Sequence, residues 1–239
     1  DPLSEEVEAA SLVLFEARIA RIAAAVLIGA ALSAAGASYQ GIFRNPMVSP
    51  DILGAATGAS FGAALAILFG ASALMIQVSA FCFGLAAVAA AYFASSVLTR
   101  QSGGATLTLV LTGMVVSALF SAFISIVKFV GDPYDTLPTI TFWLMGGLTY
   151  VTKGDLFIML IPFAAGMIPL LLLRWRLNIL SFDDEEASSL GVDTKKTRAV
   201  IILCATLMSS SAVAVGGMIG WVGLIVPHIA RMLTGPDYS

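Results

Sequence analysis

Charge is scarce in this sequence. Only 11% of its 239 residues are Asp, Glu, Lys or Arg, whereas 59% are hydrophobic, and a soluble domain carries roughly 25% charged residues. The composition therefore predicts that lipid surrounds most of the chain. The formal net charge of −3 is too small to indicate a nucleic-acid partner.

The sequence is also poor in residues that bind metals or carry out catalysis. His228 is the only histidine, which excludes a metal site built from several histidines. Cys82 and Cys204 lie in apolar runs without C-x-x-C spacing, a pattern that favours small core residues over a disulfide or a metal site. The apolar runs contain no pairing of a nucleophile with a base. These absences predict that the chain is not an enzyme and that any energy source lies in another subunit.

Windows without charge predict the membrane spans. An ionised side chain at the bilayer centre costs roughly 2.5–3.5 kcal/mol, and a helix needs about 20 apolar residues to cross. The predicted fold class is an all-α, polytopic membrane helix bundle with about seven transmembrane helices. Single spans fall in residues 22–43, 101–127 and 156–173, and pairs of spans fall in 52–99, with a break near Gly70, and in 199–230, with a break near Gly216 and Gly217.

Lysine and arginine positions predict the orientation of these spans, because cytoplasmic loops are enriched in both residues. Eight basic residues fall on one side of the alternating spans and four on the other, so the first side is predicted to be cytoplasmic. Ion-coupled carriers usually place an ionisable group inside the membrane, and the long spans here contain no carboxylate. The first side carries Arg44, Arg100, Arg174, Arg176, Lys195, Lys196, Arg198 and Arg231, and the second carries Arg18, Arg21, Lys128 and Lys153.

Small residues recur at every fourth position in three segments. Such stripes let helix backbones approach closely in lipid, and the spacing alone favours helix packing. The third stripe is more polar, so it has two possible roles: helix packing, or lining the path of a solute. The stripes are Gly29, Ser33, Ala37 and Gly41; Gly54, Gly58 and Gly62; and Gly113, Ser117, Ser121 and Ser125.

One stretch, residues 181–198, breaks the apolar pattern with eight charged side chains among eighteen residues. We call it the polar island. Ser181 is a predicted helix cap, the acidic turn after it suits the helix dipole, and Gly191 supplies a left-handed stop. Asp193 or Thr194 then caps a second helix. The residues alone leave two interpretations open: a solvated cytoplasmic connector, or a rigid acidic helix that docks into another protein.

Four segments of the chain carry recognisable motifs. The first is RIARIAAAVLIGAALSAAGASYQGIFRNPMVSPDILG, which starts at Arg18. The central segment contains LTGMVVSALFSA and FWLMGGL, the polar segment reads LNILSFDDEEASSLGVD, and the late segment reads GGMIGWVGLIVPHIARMLTGPD. Taken together and in this order, over nearly the whole chain, they resemble the FecCD-type permeases of ABC importers for iron-siderophores, haem and cobalamin.

The resemblance implies a single transmembrane permease domain over residues 1–239, with residues 1–17 outside the cytoplasm and residues 181–198 forming coupling helices. The family's permeases have roughly ten spans and an inverted repeat, so this chain is expected to lack the first span and the last ones. The implied partners are a second permease copy in a homodimer, a cytoplasmic ABC ATPase dimer that binds ATP and Mg, an extracytoplasmic substrate-binding protein and the lipid bilayer. No nucleic acid is expected, nor any cofactor on the chain itself.

The implied function is inward transport of a metal chelate across a bacterial or archaeal cytoplasmic membrane, by alternating access that the separate ATPase drives. Ferric siderophore, haem, cobalamin and oxyanions such as molybdate all fit, and iron chelate is the family's commonest class. The alternatives are an ion-coupled secondary transporter and a membrane-embedded enzyme.

The resemblance also assigns roles to individual residues. Part of the polar island would seat in the ATPase, and two outer arginines would dock the binding protein. The connector between the fourth and fifth spans would form the cytoplasmic gate, and one face of the next helix would line the path. The ATPase-docking residues are Asp183, Asp184, Glu185, Glu186, Ser188, Leu190 and Gly191; the outer pair is Arg18 and Arg21; the gate is Gln101, Ser102, Gly103, Gly104 and Thr106; and the path is Met114, Ser117, Ser121 and Ser125.

Overall fold

The computed structural model describes residues 18–102, 105–180, 182 and 184–235. Within these residues the chain forms helices and no strand. The helices are α1 (Ile19–Phe43), α2 (Ala55–Leu68), α3 (Ala73–Ser102), α4 (Ala105–Val130), α5 (Thr136–Met145), α6 (Lys153–Leu172), α7 (Arg174–Ile179), α8 (Asp184–Ser189), α9 (Thr194–Gly216) and α10 (Val222–Thr234), with a short 3-10 helix at Pro50–Leu53.

Five of the helices, α1, α3, α4, α6 and α9, are long and apolar enough to cross a membrane. The all-α membrane bundle is therefore confirmed. Helices α2 and α10, also predicted as spans, are shorter: their 14 and 13 residues give lengths of about 20 Å, against a hydrocarbon core of about 30 Å. Helix α5 is a further short apolar helix that the charge-free windows did not resolve.

Helix α9 forms the centre of the bundle. Its apolar window is 72% buried, compared with 17% for α4 and for α6. Helices α1, α2, α3 and α6 all pack against it. One polar pair lies in this core, where the Tyr39 hydroxyl of α1 is 3.0 Å from the Thr206 hydroxyl of α9. The arrangement leaves large faces of α4 and α6 for lipid or for a partner.

The second small-residue stripe packs helices together, as its spacing predicts. A Cβ atom placed on Gly58 would lie 2.5 Å from the Ala87 Cβ of α3, and one on Gly62 would lie 2.5 Å from the Ser79 carbonyl oxygen. Helices α2 and α3 therefore approach so closely that the contact has no room for larger side chains at these positions.

The first stripe does not identify the close contact of α1. A Cβ on Gly29 would meet nothing within 4 Å, whereas one on Gly36, which is outside the stripe, would lie 1.8 Å from the Gly223 carbonyl oxygen. The physical reason is the short length of α10. This helix begins at Val222, beside Gly36, and so does not extend along α1 to the level of Gly29.

Candidate coupling and translocation sites

Three of the basic residues on which the predicted orientation depends make hydrogen bonds at two ends of the bundle. At one end the Arg44 Nε donates to the Leu180 carbonyl at 3.1 Å, and Arg231 donates to Gln40 on α1. At the other end the Arg21 Nη2 donates to the Thr149 carbonyl at 2.7 Å. The first end is the predicted cytoplasmic end, and it carries the polar island.

Within the polar island the structure shows a helix, a glycine turn and a second helix. Helix α8 ends before Gly191, whose φ of +80° is the left-handed conformation that favours glycine. Helix α9 is capped by Asp193, whose carboxylate accepts a 3.0 Å hydrogen bond from the Lys196 backbone N–H. That bond lowers the pKa of the Asp193 carboxyl below its usual range. Of the two caps left open by the sequence, Asp193 is the one used; Ser181 lies outside the described residues.

Helix α8 is fixed on one side and exposed on the other. Ala187 and Val192 are buried, and a Val192 N–H to Ala187 carbonyl bond of 3.2 Å closes the turn between them. Glu186 and Ser188 are exposed, and Leu190, another of the predicted ATPase-docking residues, is 60% exposed. A short helix held in this way has a defined exposed surface. Asp183 and the side chains of Asp184 and Glu185 lie outside the described residues.

The predicted path residues on α4 divide into two groups. Met114, Ser121 and Ser125 lie on the exposed face of α4. Ser117 is half-buried, and its Oγ would lie 3.1 Å from a Cβ on Gly54. The hydroxyls of Ser121 and Ser125 donate to carbonyls one turn earlier in α4, at 2.9 Å and 3.1 Å. These hydroxyls are already hydrogen-bonded within the helix, so the face is only weakly polar.

The gate and the outer arginines are only partly described. Gly103 and Gly104 lie outside the described residues, as do the side chains of Gln101 and Ser102, and Thr106 is half-buried near the start of α4. Arg18 and Arg21 are both exposed. Because Arg21 also binds the Thr149 carbonyl, its guanidinium is partly engaged within the chain.

Residues 44–54, which we call the linking segment, make contacts that could not be predicted from the sequence. This segment joins α1 to α2 and packs on α4, where a Cβ on Gly113 would lie 2.4 Å from the Ile52 carbonyl oxygen. Gly113 is eight residues from the start of α4, or about 12 Å along its axis. The linking segment therefore enters the bundle well inside the end of α4. The only sequence signal was the RNP and PDILG motif, which carries no geometry by itself.

Two side chains at the end of α1 hold the linking segment. The Gln40 Nε2 donates to the Val48 carbonyl at 3.2 Å and to the Leu224 carbonyl of α10 at 3.3 Å, while its Oε1 accepts from Arg231. The second is Arg44, which is the first residue of the linking segment and donates to the Leu180 carbonyl. Among the described residues, no group of three or more His, Cys, Asp or Glu side chains is placed to hold a metal ion.

Comparison with known proteins gives a direct match to one family. The profile of the FecCD transport family covers residues 2–239. The chain belongs to the FecCD transport family. The molybdate import system permease of Haemophilus influenzae is 40% identical to it, over 100% of this chain and 68% of that protein. The "probable iron chelatin transport system permease protein" of Helicobacter pylori is also 40% identical, over 98% of this chain and 70% of that protein.

A solved structure of the same kind supports the FecCD assignment. The structure described as "An inward-facing conformation of a putative metal-chelate type ABC transporter" superposes with a TM-score of 0.89 at 39% identity, and the match covers 100% of this chain and 73% of that one. The FecCD protein is thus a multi-pass membrane protein and a permease subunit of an ABC importer, a role that implies an ATPase and a substrate-binding partner. The ion-coupled alternative gains no support from these matches.

Proposed function

We propose that this permease, as a homodimer, moves a metal chelate inward by alternating access, driven by a separate ATPase that docks on the polar island. The observation that carries the proposal is the geometry of α8: an exposed helix, fixed by Ala187 and Val192 at the foot of α9. The choice of the metal-chelate class is supported by the iron chelatin relative and by the metal-chelate type transporter structure.

The fold offers a route from the docking helix to the spans. Helix α8 leads through a tight turn into α9, whose first turn is capped by Asp193. Because α9 is the most buried span and packs on α1, α3 and α6, a push on α8 cannot move α9 without moving its neighbours. Hydrolysis of ATP with Mg in the partner would supply that push, and this chain would bind no cofactor.

The open face of α4 supports the choice of translocation path. Two copies that bring their α4 helices together would enclose Met114, Ser117, Ser121 and Ser125 between them. A bulky chelate must pass without binding tightly, and the two exposed serine hydroxyls on this face already bond within α4. In the same proposal the gate lies at Gln101, Ser102, Gly103, Gly104 and Thr106, and Arg18 and Arg21 dock the binding protein at the other end.

Removal of the docking surface is expected to release the ATPase. We would purify the full-length permease with a tagged ATPase encoded beside it, and compare it with a variant carrying Ala at Asp184, Glu185, Glu186 and Leu190. The retained ATPase should fall by at least about tenfold, since truncating several central contact residues typically removes most of an interface's binding energy.

A matched variant controls for charge and folding at the same end. Lys195 and Lys196 are exposed on the first turn of α9, and their double alanine variant should retain the ATPase. Equal retention by all three proteins would make the polar island a simple connector and would reopen the ion-coupled alternative.

The chelate class is tested by competition. The complete importer in proteoliposomes, with its binding protein and ATP, should accumulate a radiolabelled ferric siderophore. An excess of the unlabelled siderophore should abolish this uptake, whereas an equal excess of molybdate should leave it unchanged. Uptake of labelled molybdate with no uptake of the siderophore would instead align this permease with its Haemophilus influenzae relative and overturn the chelate class.

A further inference from the structure

Arg44 ends α1 in a conformation that is unusual for its side-chain type. Its φ and ψ are 49° and 36°, the left-handed region that costs a non-glycine residue about 1–3 kcal/mol. In this position the guanidinium reaches across the chain, where Nε donates to the Leu180 carbonyl at 3.1 Å and Nη2 donates to the Phe182 carbonyl. A basic residue that only added positive charge to the cytoplasmic side would not need to hydrogen-bond two backbone carbonyls.

Those two carbonyls belong to the chain that leads directly into α8. Leu180 is fully buried and Phe182 is the last described residue before the helix. A planar guanidinium offers several N–H donors in a rigid fork and can hold both carbonyls at once, whereas a lysine ammonium is a single point on a flexible stem. Arg44 therefore ties the approach to α8 to the end of α1.

From Arg44 the linking segment continues past α10 to α4, and it touches both helices through backbone atoms and short side chains. Pro50 packs on Gly223, the Ile52 carbonyl oxygen lies against Gly113, and Gly54 lies against Ser117. Contacts between backbones and small residues leave few side-chain rotamers to absorb a displacement. The linking segment therefore offers a short connection from the carbonyls of Leu180 and Phe182 to the α4 face that carries the predicted path.

We propose that Arg44 is a positioning residue that transmits movement of the docking helix α8, through the linking segment, to the translocation face of α4. The proposal rests on the proposed function, because it takes α8 as the site on which the ATPase acts. It adds a specific connection to the proposed push on α9. The docking helix moves α4 through the hydrogen bonds of Arg44 to the Leu180 and Phe182 carbonyls.

The first test separates coupling from assembly. In the complete importer, Arg44→Gln should retain the ATPase and its basal hydrolysis, since the docking surface of α8 is unchanged. The amount of ligand moved per ATP should fall by about fivefold or more, the low end of measured coupling energies. Arg44→Lys should be intermediate because it keeps the charge but loses the fork. Lys195→Gln, which removes a charge from an exposed position at the same end, should behave as wild type.

The second test measures transmission directly. After all native cysteines of the importer are replaced, Cys82 and Cys204 among them, a single spin label at Ser189 of α8 or at Val115 of α4, both exposed, reports one distance across the homodimer. Nucleotide should change both distances in the wild type. In Arg44→Gln it should still change the Ser189 distance but no longer the Val115 distance, a pattern that a general loss of stability would not produce.

The outcomes distinguish this proposal from the one on which it rests. Failure of the wild-type permease to retain any ATPase would refute the docking role of α8. In another outcome, Arg44→Gln retains the ATPase, moves the normal amount of ligand per ATP and shows the normal Val115 distance change. That result would refute only the role of Arg44. If Arg44→Gln does not fold, Arg44→Lys decides, and full coupling in a folded Arg44→Lys protein would show that the fork is not required.

Discussion

Gly36→Ala is expected to prevent stable assembly of the permease. The new Cβ would lie 1.8 Å from the Gly223 carbonyl oxygen and 2.6 Å from its carbonyl carbon, which are backbone atoms that cannot rotate away. Helices α1 and α10 would have to separate, and the Gln40 bond to the Leu224 carbonyl would break with them. Overpacking of a well-packed core costs about 1–3 kcal/mol, and a backbone overlap of this size should exceed that range.

The measurement is the apparent midpoint of thermal unfolding in detergent, together with the fraction of monodisperse protein. Gly29→Ala is the matched control, since it makes the same change on the same helix at a position with nothing within 4 Å. Gly29→Ala should match the wild type, and Gly36→Ala should be largely aggregated. Wild-type behaviour of both variants would show that α1 and α10 are not in backbone contact.

Gly217→Ala is expected to be nearly as damaging, for two separate reasons. Gly217 has a φ of 70° and a ψ of −164°, a combination that is essentially restricted to glycine and costs other residues about 1–3 kcal/mol. A Cβ there would also lie 2.6 Å from the Trp143 carbonyl oxygen and 2.7 Å from the Gly146 Cα. The substitution would therefore both strain the end of α9 and push it away from the end of α5.

Gly220→Ala provides the comparison, because it lies in the same connection between α9 and α10 and has nothing within 4 Å of its Cβ position. We expect Gly217→Ala to lower the unfolding midpoint by several degrees at least, about the shift that 1–3 kcal/mol produces in a protein of this size, and Gly220→Ala to leave it unchanged. Equal midpoints for the two variants would contradict the described geometry of the turn.

Much of the fold could be predicted from where charge and glycine fall. Charge-free windows identified the five long spans, since the cost of burying charge in lipid acts on each segment independently. The polar island was predicted down to its glycine turn, because caps and left-handed stops depend on a few neighbouring residues. The short lengths of α2 and α10 could not be predicted, because apolar composition does not distinguish a partial helix from a full span.

The long-range contacts of Arg44 and Gly36 had no comparable signal in the sequence. Arg44 was predicted only as a cytoplasmic charge, yet it binds the carbonyls of Leu180 and Phe182, 136 and 138 residues further along the chain. A carbonyl is present at every residue, so nothing in the sequence marks which one an arginine will reach. The close contact at Gly36 was missed for a related reason: spacing identifies a stripe on one helix but not the level at which its neighbour begins.

The position of Gln40 has a consequence for how substitutions in this membrane protein should be judged. Gln40 is 2% exposed, and its amide takes the part that a water molecule would play at the surface, because it donates to the Val48 and Leu224 carbonyls and accepts from Arg231. Each unsatisfied polar group in a dry interior costs several kcal/mol. A leucine at this position would raise the hydropathy of α1 but remove three hydrogen bonds from a buried site, so greater compatibility with lipid would come with a less stable protein.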